Sequence, residues 1–498
     1  MSRHLTRAFL SFFFCFAALA ALRAQALVPG APLTLEECIA RAMKKNFDLQ
    51  IQGYSTDIAK ENLNIAKSDF EPTLTASANR GLNQAASTTS TLDGTALVGP
   101  RADSTSATVG ISQRLPQTGA TLGLSTNLSR SATNSRFSTL NPAYASGVTA
   151  TVSQPLLKGA GRAVVTANIE SNKIGVSIAV LNYRSRVLTV IRDTETAYHN
   201  LVSARETLRI RQLSLELAQR LFDENQARRN TGVATDLDVL TAEVGVANAR
   251  RAVIQAEQTV RNNEDNLLAL STPDNFDTRP GPVTFPDYNE SPPDFASSYK
   301  LVRDNYPDYL STASVIRQLE ISLATAKQNK LPTLNLNGSL GYNNTDHSYG
   351  DAISNLPDHH GNNWGLGLVY TMPWGMKADL ARFRSSTASL SSQKTRLRQL
   401  EQTLLVQVRA DVRAVETNLA SVSIAAQATK LSEKQYEQQK ARFDAGLSTS
   451  RLVLQAQDDL EAARVNELTT KVALRNAVAE LHRLDGTSLQ RFRIALPE

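Results

Sequence analysis

The chain carries one structural plan twice. Ala66-Lys67-Ser68-Asp69-Phe70-Glu71-Pro72-Thr73-Leu74 returns as Ala326-Lys327-Gln328-Asn329-Lys330-Leu331-Pro332-Thr333-Leu334, an offset of 332 − 72 = 260. A second pair, Ala227-Arg228-Arg229-Asn230-Thr231-Gly232-Val233-Ala234-Thr235 and Ala441-Arg442-Phe443-Asp444-Ala445-Gly446-Leu447-Ser448-Thr449, matches at an offset of 446 − 232 = 214. The first half therefore holds 260 − 214 = 46 extra residues between its two landmarks. Duplication on this scale points to a wall, bundle or barrel before it points to a catalytic cleft.

The N-terminus reads as an export signal over residues 1–26. Arg3 and Arg7 open it, Ala8 to Leu22 is apolar, and Ala24-Gln25-Ala26 supplies a small-x-small cleavage site. The apolar run is shorter than the roughly 20 residues of a membrane-spanning helix. Cys15, behind Phe12-Phe13-Phe14, is not in the setting of a lipid-attachment site, and its removal leaves Cys38 alone. An exported chain of this size with one cysteine has no internal disulfides, and Cys38 reads as a small buried hydrophobe. The formal charge of +6 includes Arg3, Arg7 and Arg23, so the mature chain carries +6 − 3 = +3. With no basic block interleaved with aromatics, nucleic-acid binding is excluded as a working class. Beyond the signal no stretch approaches 18 uninterrupted apolar residues, which excludes a helical membrane protein but leaves a β-barrel open.

Thr34-Leu35-Glu36-Glu37 has the form of a capping box and opens a helix expected over about 35–69, ended by Pro72. No proline occurs from Leu156 to Thr272 or from Trp374 to Leu496, and a proline inside a helix costs about 3 kcal/mol. Heptads run through both stretches: Leu201, Leu208, Leu215 and Phe222; Val239, Val246, Val253, Val260 and Leu267; and the four-three alternation Val408, Val412, Val415, Leu419, Val422. Helices are expected at about 160–229, 236–270, 376–442 and 451–484, the longest reaching roughly 100 Å. Gly232 and Gly446 form the turn of each helical hairpin, and Thr235-Asp236-Leu237-Asp238 has the spacing of a helix cap.

The remaining segments alternate with period two. Leu334, Leu336, Leu340 and Tyr342 oppose Asn335, Asn337 and Ser339; Trp364, Leu366, Leu368, Tyr370 and Met372 oppose Gly365, Gly367, Val369 and Thr371. Such strands suit a wall between lipid and water, or one face of a soluble sandwich. The first half offers segments at about 72–80, 106–116, 119–129 and 146–156, with a tight turn at Pro116-Gln117-Thr118-Gly119; the second offers 332–343 and 362–373. Long polar connections at 81–105 and 130–145 fall on one side and the short turn on the other, the asymmetry of outer-membrane barrels. The hairpin 106–129 accounts for the surplus residues. It either enlarges the wall, with Leu122 and Leu124 opposite Thr121 and Gly123, or lies outside it. Six prolines at 273, 280, 282, 286, 292 and 293 mark a linker between the halves.

These features together resemble the TolC-like outer-membrane efflux family. The residues that carry the resemblance are Leu33-Thr34-Leu35-Glu36-Glu37-Cys38-Ile39, the Pro-Thr-Leu at Pro72 and Pro332, Ser153-Gln154-Pro155-Leu156, and the tips around Gly232 and Gly446. The resemblance implies a mixed α/β membrane protein: a homotrimer sharing one β-barrel in the outer membrane, continued by a long α-helical periplasmic tunnel, with two internal repeats per protomer. The corresponding boundaries are a signal peptide at 1–26, a first repeat at 27–270, a Pro-rich linker at 271–293, a second repeat at 294–485 and a C-terminal tail at 486–498. It implies a passive exit channel of a tripartite efflux or type I secretion system, partnered by a periplasmic adaptor (membrane fusion protein), an inner-membrane pump and outer-membrane lipid, with no cofactor and no chemistry of its own. The family usually supplies four strands per protomer, and six are counted here.

By the same resemblance Gly232, Val233, Gly446 and Leu447 are candidates for adaptor docking, and Asp236 and Asp238 for a periplasmic gate. Leu452 and Gln455 stand where aspartates occur in the family, so an acidic double ring is missing. The ordinary reading of Asp236 and Asp238 is a favourable pair of charges at a helix N-terminus. Among enzyme signals, Asp346-His347 and Asp358-His359-His360 share one polar loop, and Lys158-Gly159-Ala160-Gly161-Arg162 lacks the Gly-Lys-Ser/Thr of a phosphate loop. The competing class is an exported coiled-coil structural or filament protein, which explains the heptads and leaves the two-faced segments without a role.

Overall fold

The computed structural model describes residues 32–84, 101–135, 137–274, 279–286, 293–358 and 361–495. The expected signal peptide, Cys15, His359 and His360 lie outside these residues, as do parts of the linker and the tail. The first repeat holds α1 (Leu35–Lys45), α2 (Phe47–Ser68), β1 (Thr73–Gln84), β2 (Arg101–Arg114), β3 (Thr121–Thr133), β4 (Ala143–Pro155), a short α3 (Arg162–Val165), α4 (Ala167–Asn230) and α5 (Asp236–Ser271). The second holds α6 (Phe295–Asn305), α7 (Pro307–Gln328), β5 (Thr333–Asp346), α8 (Tyr349–Ser354), β6 (Gly361–Thr371), α9 (Lys377–Asp444), α10 (Ser450–Asp485) and α11 (Ser488–Arg491). The duplication is quantitative. Helices α1 and α6 are both 11 residues, α2 and α7 both 22, α5 and α10 both 36, and α4 and α9 are 64 and 68.

The helix expected over 35–69 is two helices. Asn46 breaks it, its backbone N–H closing α1 on Ala42 O at 2.9 Å while its Oδ1 accepts from Asp48 N at 2.9 Å, as an N-cap does. At the matching place in the second repeat Pro307 opens α7, the first helical position that proline favours. The helix expected from 160 begins at Ala167, because Gly159 and Gly161 take φ of 80° and 91° and α3 intervenes. The polar loop 344–361 contains α8, capped by Ser348 Oγ on Asp351 N at 3.1 Å.

The chain divides into two compact units. One consists of residues up to Ser55, Val180–Leu310 and Gln399 onward, and is helical. Its main core joins Cys38, Ile39 and Ala42 of α1 to Val187, Leu188, Ile191, Tyr198 and Leu201 of α4 and Leu267 of α5. The expected seam on α9 is realised: Val408 and Val412 pack with Val302, Leu481 and Leu484, and Val415 with Leu474 and Val478. The described part of the linker around Pro280 to Thr284 is bound to the helical core. Arg205 donates to Pro280 O at 2.8 Å and pairs with Glu264 at 2.6 Å, while the Tyr198 hydroxyl lies 2.9 Å from Thr284 O. Contrary to the reading from uninterrupted runs, α4 holds one 18-residue window with mean hydropathy 1.3, apolar enough by length and composition to span a membrane. An average tolerates the occasional charge that interrupts a run, and four residues of this helix, Val187, Leu188, Val190 and Ile191, are spent on the protein core.

Cys38 is fully buried in this core, and burial pushes its thiol up to about 12. A thiol kept protonated is a poor nucleophile. The folded protein is expected to resist maleimide at pH 7.5 and to label fully after denaturation; rapid labelling of the native protein, followed by mass spectrometry, would contradict this core.

The second unit, Thr56–Ala179 with Ser311–Arg398, is organised around one sheet of six antiparallel strands in the order β1-β2-β3-β4-β5-β6. The hairpin 106–129 is therefore inside the sheet, between β1 and β4, and the strands extend beyond the segments expected from alternation. Lys158 closes the foot of this unit against the second repeat, pairing with the buried Asp379 at 3.2 Å.

Candidate functional site: a two-faced wall and paired hairpin tips

Residues directly opposite on antiparallel strands point to the same face, so the register assigns every side chain of the sheet to one of two surfaces. One row across all six strands reads Leu74, Ile111, Leu124, Ala150, Leu340, Trp364. The adjacent row on the opposite surface reads Thr75, Gly110, Ser125, Thr149, Gly341, Asn363. The division continues along the strands, with Leu122, Val152 and Leu366 on the apolar side and Thr108, Asn127, Gly147 and Asn343 on the other. Leu74, Trp364 and Leu366 are more than 70% exposed. A soluble sandwich would bury that face, so the apolar surface is built to meet something other than water.

Aromatics mark both ends of the apolar band: Tyr370 and the wholly exposed Trp374 near the helices, Tyr144 and Tyr342 toward the long loops. Tyr144 packs edge-on against Tyr349 of α8 at 4.6 Å, and Ser146 Oγ donates to Ala352 O at 2.6 Å, which seats α8 against this end. The charges Arg80, Asp103, Arg130 and Asp346 stand at the same end. The short turn at the other end is locked: Gln154 Nε2 donates to Thr118 O at 3.1 Å, Gln113 Nε2 to Phe70 O at 3.1 Å, and Ala120 is buried.

The hairpin tips belong to the helical unit. After α4, Val233 N donates to Arg228 O at 2.9 Å and Gly232 N to Arg229 O at 2.9 Å; after α9, Leu447 N donates to Arg442 O at 2.8 Å and Gly446 N to Phe443 O at 3.0 Å. Each is a Schellman end, with glycine at the left-handed position, φ 76° and 75°. A Cβ on either glycine would meet nothing within 4 Å, so these two residues are required by backbone conformation. Such motifs commonly fold the following apolar residue back on the helix. Here Val233 and Leu447 remain 76% and 71% exposed, and Leu237 and Leu240 extend the exposed apolar surface along α5.

Both acidic candidates have local partners. Asp238 accepts from Thr235 N at 3.0 Å and from Thr235 Oγ1 at 2.7 Å, and its own N–H meets Thr235 Oγ1 at 3.3 Å, a complete capping box. These Thr235 hydrogen bonds hold its carboxyl below the usual aspartate range. Asp236 pairs with Arg229 at 2.6 Å across the turn. Leu452 and Gln455 are exposed on α10.

A further set, not found from sequence, joins the two tips. Arg228 stacks on Phe443 at 4.2 Å from the ring centroid, donates to Phe443 O at 3.2 Å and pairs with Glu224 at 2.9 Å. Lys440 bridges Glu224 at 2.6 Å and Asp444 at 2.7 Å, and Ser450 Oγ donates to the buried Asn225 Oδ1 at 2.7 Å. Arg228–Glu224 and Lys440–Asp444 are i,i+4 pairs within α4 and α9, whereas the partners across the tips lie more than 200 positions apart and no local pattern announces them.

The family model described as outer membrane efflux protein matches residues 120–271 and 299–487, well over half of the chain. The chain belongs to the outer membrane efflux protein family. It is 22% identical over 341 residues to outer membrane protein TolC of Escherichia coli (strain K12), a match covering 62% of this chain and 65% of that relative. The chain thus spans just under two thirds of the length of the curated relative it matches. In fold it is similar to the CmeC outer membrane channel of Campylobacter jejuni, TM-score 0.69 at 18% identity, covering 91% of this chain and 85% of the other. It is likewise similar to the MtrE outer membrane channel of Neisseria gonorrhoeae in its open state, TM-score 0.64 at 18% identity, covering 91% and 88%. This efflux-family chain is an outer-membrane protein with a periplasmic helical part, and it is not an enzyme. The His and Asp residues of loop 344–361 have ordinary local roles where described: Asp346 Oδ1 accepts from His347 N and Oδ2 from Asn355 Nδ2 at 2.9 Å.

Proposed function

We propose that this chain is a passive outer-membrane exit channel, a homotrimer that serves a tripartite efflux or type I secretion system. The observation that carries the reading is the two-faced sheet whose edges, β1 and β6, have no further strand partner among the described residues of a single chain. Lipid offers no hydrogen bonds to an open strand edge, so a membrane-embedded sheet must close. Three copies close it when β6 of each pairs with β1 of the next, the apolar rows facing lipid and the Gly, Ser, Thr and Asn rows facing a lumen. An exposed heptad stripe on α2, formed by Phe47, Ile51, Tyr54, Ile58 and Ile65, supports burial of helices between protomers. The repeats follow the boundaries given above, with 271–293 joining them. At the tips, Gly232 and Gly446 hold the turns, and exposed Val233 and Leu447 form a docking surface for a periplasmic adaptor, which links the channel to an inner-membrane pump. Asp236 and Asp238 shape the periplasmic entrance first as turn and cap residues.

Native mass spectrometry in detergent with single-channel recording tests the reading. A trimer that conducts after insertion into a planar bilayer is the expected result. A monodisperse monomer without conductance overturns it.

A further inference from the structure

The surplus hairpin changes the geometry of the wall. In the sheet, β2 pairs with β1 from Thr73↔Ser112 to Gln84↔Arg101, and β3 pairs with β4 from Thr121↔Ser153 to Ser131↔Ala143, with no interruption. The two strands also continue both surfaces: Val109, Ile111, Leu122 and Leu124 lie in the apolar band, while Thr108, Gly110, Ser125 and Asn127 lie in the polar one. A decorative flap has no reason to keep the lipid-side and water-side alternation of its neighbours in register. Its foot is also fixed, since Ala120 is buried and the Thr118 carbonyl accepts from Gln154.

Resting on the trimeric reading, we propose that β2 and β3 are wall strands of an eighteen-stranded barrel, so that the outer-membrane duct admits bulky hydrated cargo that a wall of four strands per chain would exclude. The radius of a closed barrel follows from strand spacing, tilt and strand number. With strands about 4.8 Å apart and tilted about 40°, eighteen strands give a backbone radius of about 18 Å and twelve give about 12 Å. Allowing about 5 Å of side chain on each wall, the clear width is about 26 Å instead of about 14 Å. On the polar surface, the described strand residues carry one charge, Arg114, opposite Thr121 at the end of β2 nearest the short turn; those from Thr73 to Asn83, Ala102 to Ser112, Thr121 to Thr133, Ala143 to Ser153, Thr333 to Thr345 and Gly361 to Thr371 carry none. Apart from Arg114 at its short-turn end, the wide segment therefore offers neutral hydrogen-bonding walls, and any sorting of cargo by charge falls to that position and to the helical part.

The topology supplies its own control. Strand β1 leads away from the helices and β4 returns, so removal of residues 85–133 joins Gln84 to Asn134 and leaves an antiparallel four-stranded sheet. A spin label at Ala150→Cys in a Cys38→Ser background reports the spacing between protomers in the purified trimer. Three equivalent backbone positions lie about 31 Å apart in an eighteen-stranded barrel and about 21 Å apart in a twelve-stranded one. The full chain is expected to exceed the deletion variant by about 10 Å, and neutral polyethylene glycol of about 20 Å diameter, added from the loop side in a planar bilayer, is expected to lower the conductance of the full chain. A separation near 21 Å in the full chain places the hairpin outside the closed wall, and exclusion of the polymer at the larger separation overturns the wide duct. If the deletion variant does not assemble, the absolute separation in the full chain decides. Absence of any distance between protomers overturns the trimeric reading itself, and with it this inference.

Discussion

Leu124→Lys is expected to prevent assembly of the channel in the outer membrane, whereas Ser125→Lys, one residue along the same strand, leaves assembly intact. Leu124 stands in the apolar row with Ile111, Leu340 and Trp364; Ser125 stands in the opposite row with Gly110 and Thr149. A lysine on the lipid face near the middle of the bilayer costs about 2–4 kcal/mol per copy, and a trimer carries that cost three times. On the lumen face the ammonium remains in water, so the cost there is small. Outer-membrane fractionation with heat-dependent migration on gels reads both outcomes. Equal assembly of the two variants would show that this hairpin does not lie in the bilayer.

The second large effect is expected at the tips. Val233→Asp combined with Leu447→Asp should leave the trimer at normal abundance and conducting in isolation, yet fail to restore the export phenotype of a strain lacking this chain. Both side chains are mostly exposed and contribute little packing, and surface substitutions of this kind stay within about 0.5 kcal/mol. The glycines are poor choices for the same test. Gly232 and Gly446 sit at positive φ with open space around them, so replacement strains the turn before it informs on a partner. Changing Asp238 likewise removes the capping box of α5. If the double variant restores export fully, an apolar surface at these tips is not where the adaptor binds.

The long helices, their glycine turns, the six alternating segments and the duplication are all legible in the chain, because each rests on a local and repeated signal. Proline absence, heptads and period-two alternation act over a few turns or a few residues, and they are written in consecutive positions. What local signals miss are interruptions. Asn46 divides a helix by offering its side chain to Asp48, and Gly161 delays the start of α4 by its backbone conformation; neither residue type compels a break by itself. The exposed Val233 and Leu447 are legible as turn neighbours, but their exposure depends on what the surrounding helices leave uncovered.

Three matters depend on tertiary structure. Alternation along β2 and β3 identifies two faces but not which neighbours those faces join; the register beside β1 and β4 places the hairpin in the six-stranded sheet, since cross-strand hydrogen bonds connect residues far apart in sequence. The acidic candidates at the first tip are visible as charges, while their partners, Arg229 for Asp236 and Thr235 for Asp238, become definite only when the turn brings them within hydrogen-bonding reach. In the network of Arg228, Glu224, Lys440 and Phe443, the Arg228–Glu224 pair is local to α4, but the links of Arg228 to Phe443 and of Lys440 to Glu224 have no sequence trace, because they join the two repeats. Consecutive residues were thus enough to place the long helices and the six strands and to show that the plan comes twice, though not the break at Asn46 or the short helices α3 and α8. Pairing and packing between distant segments decided which strands share one sheet and which residues cross between the tips, because those interactions exist only once the chain brings remote positions together.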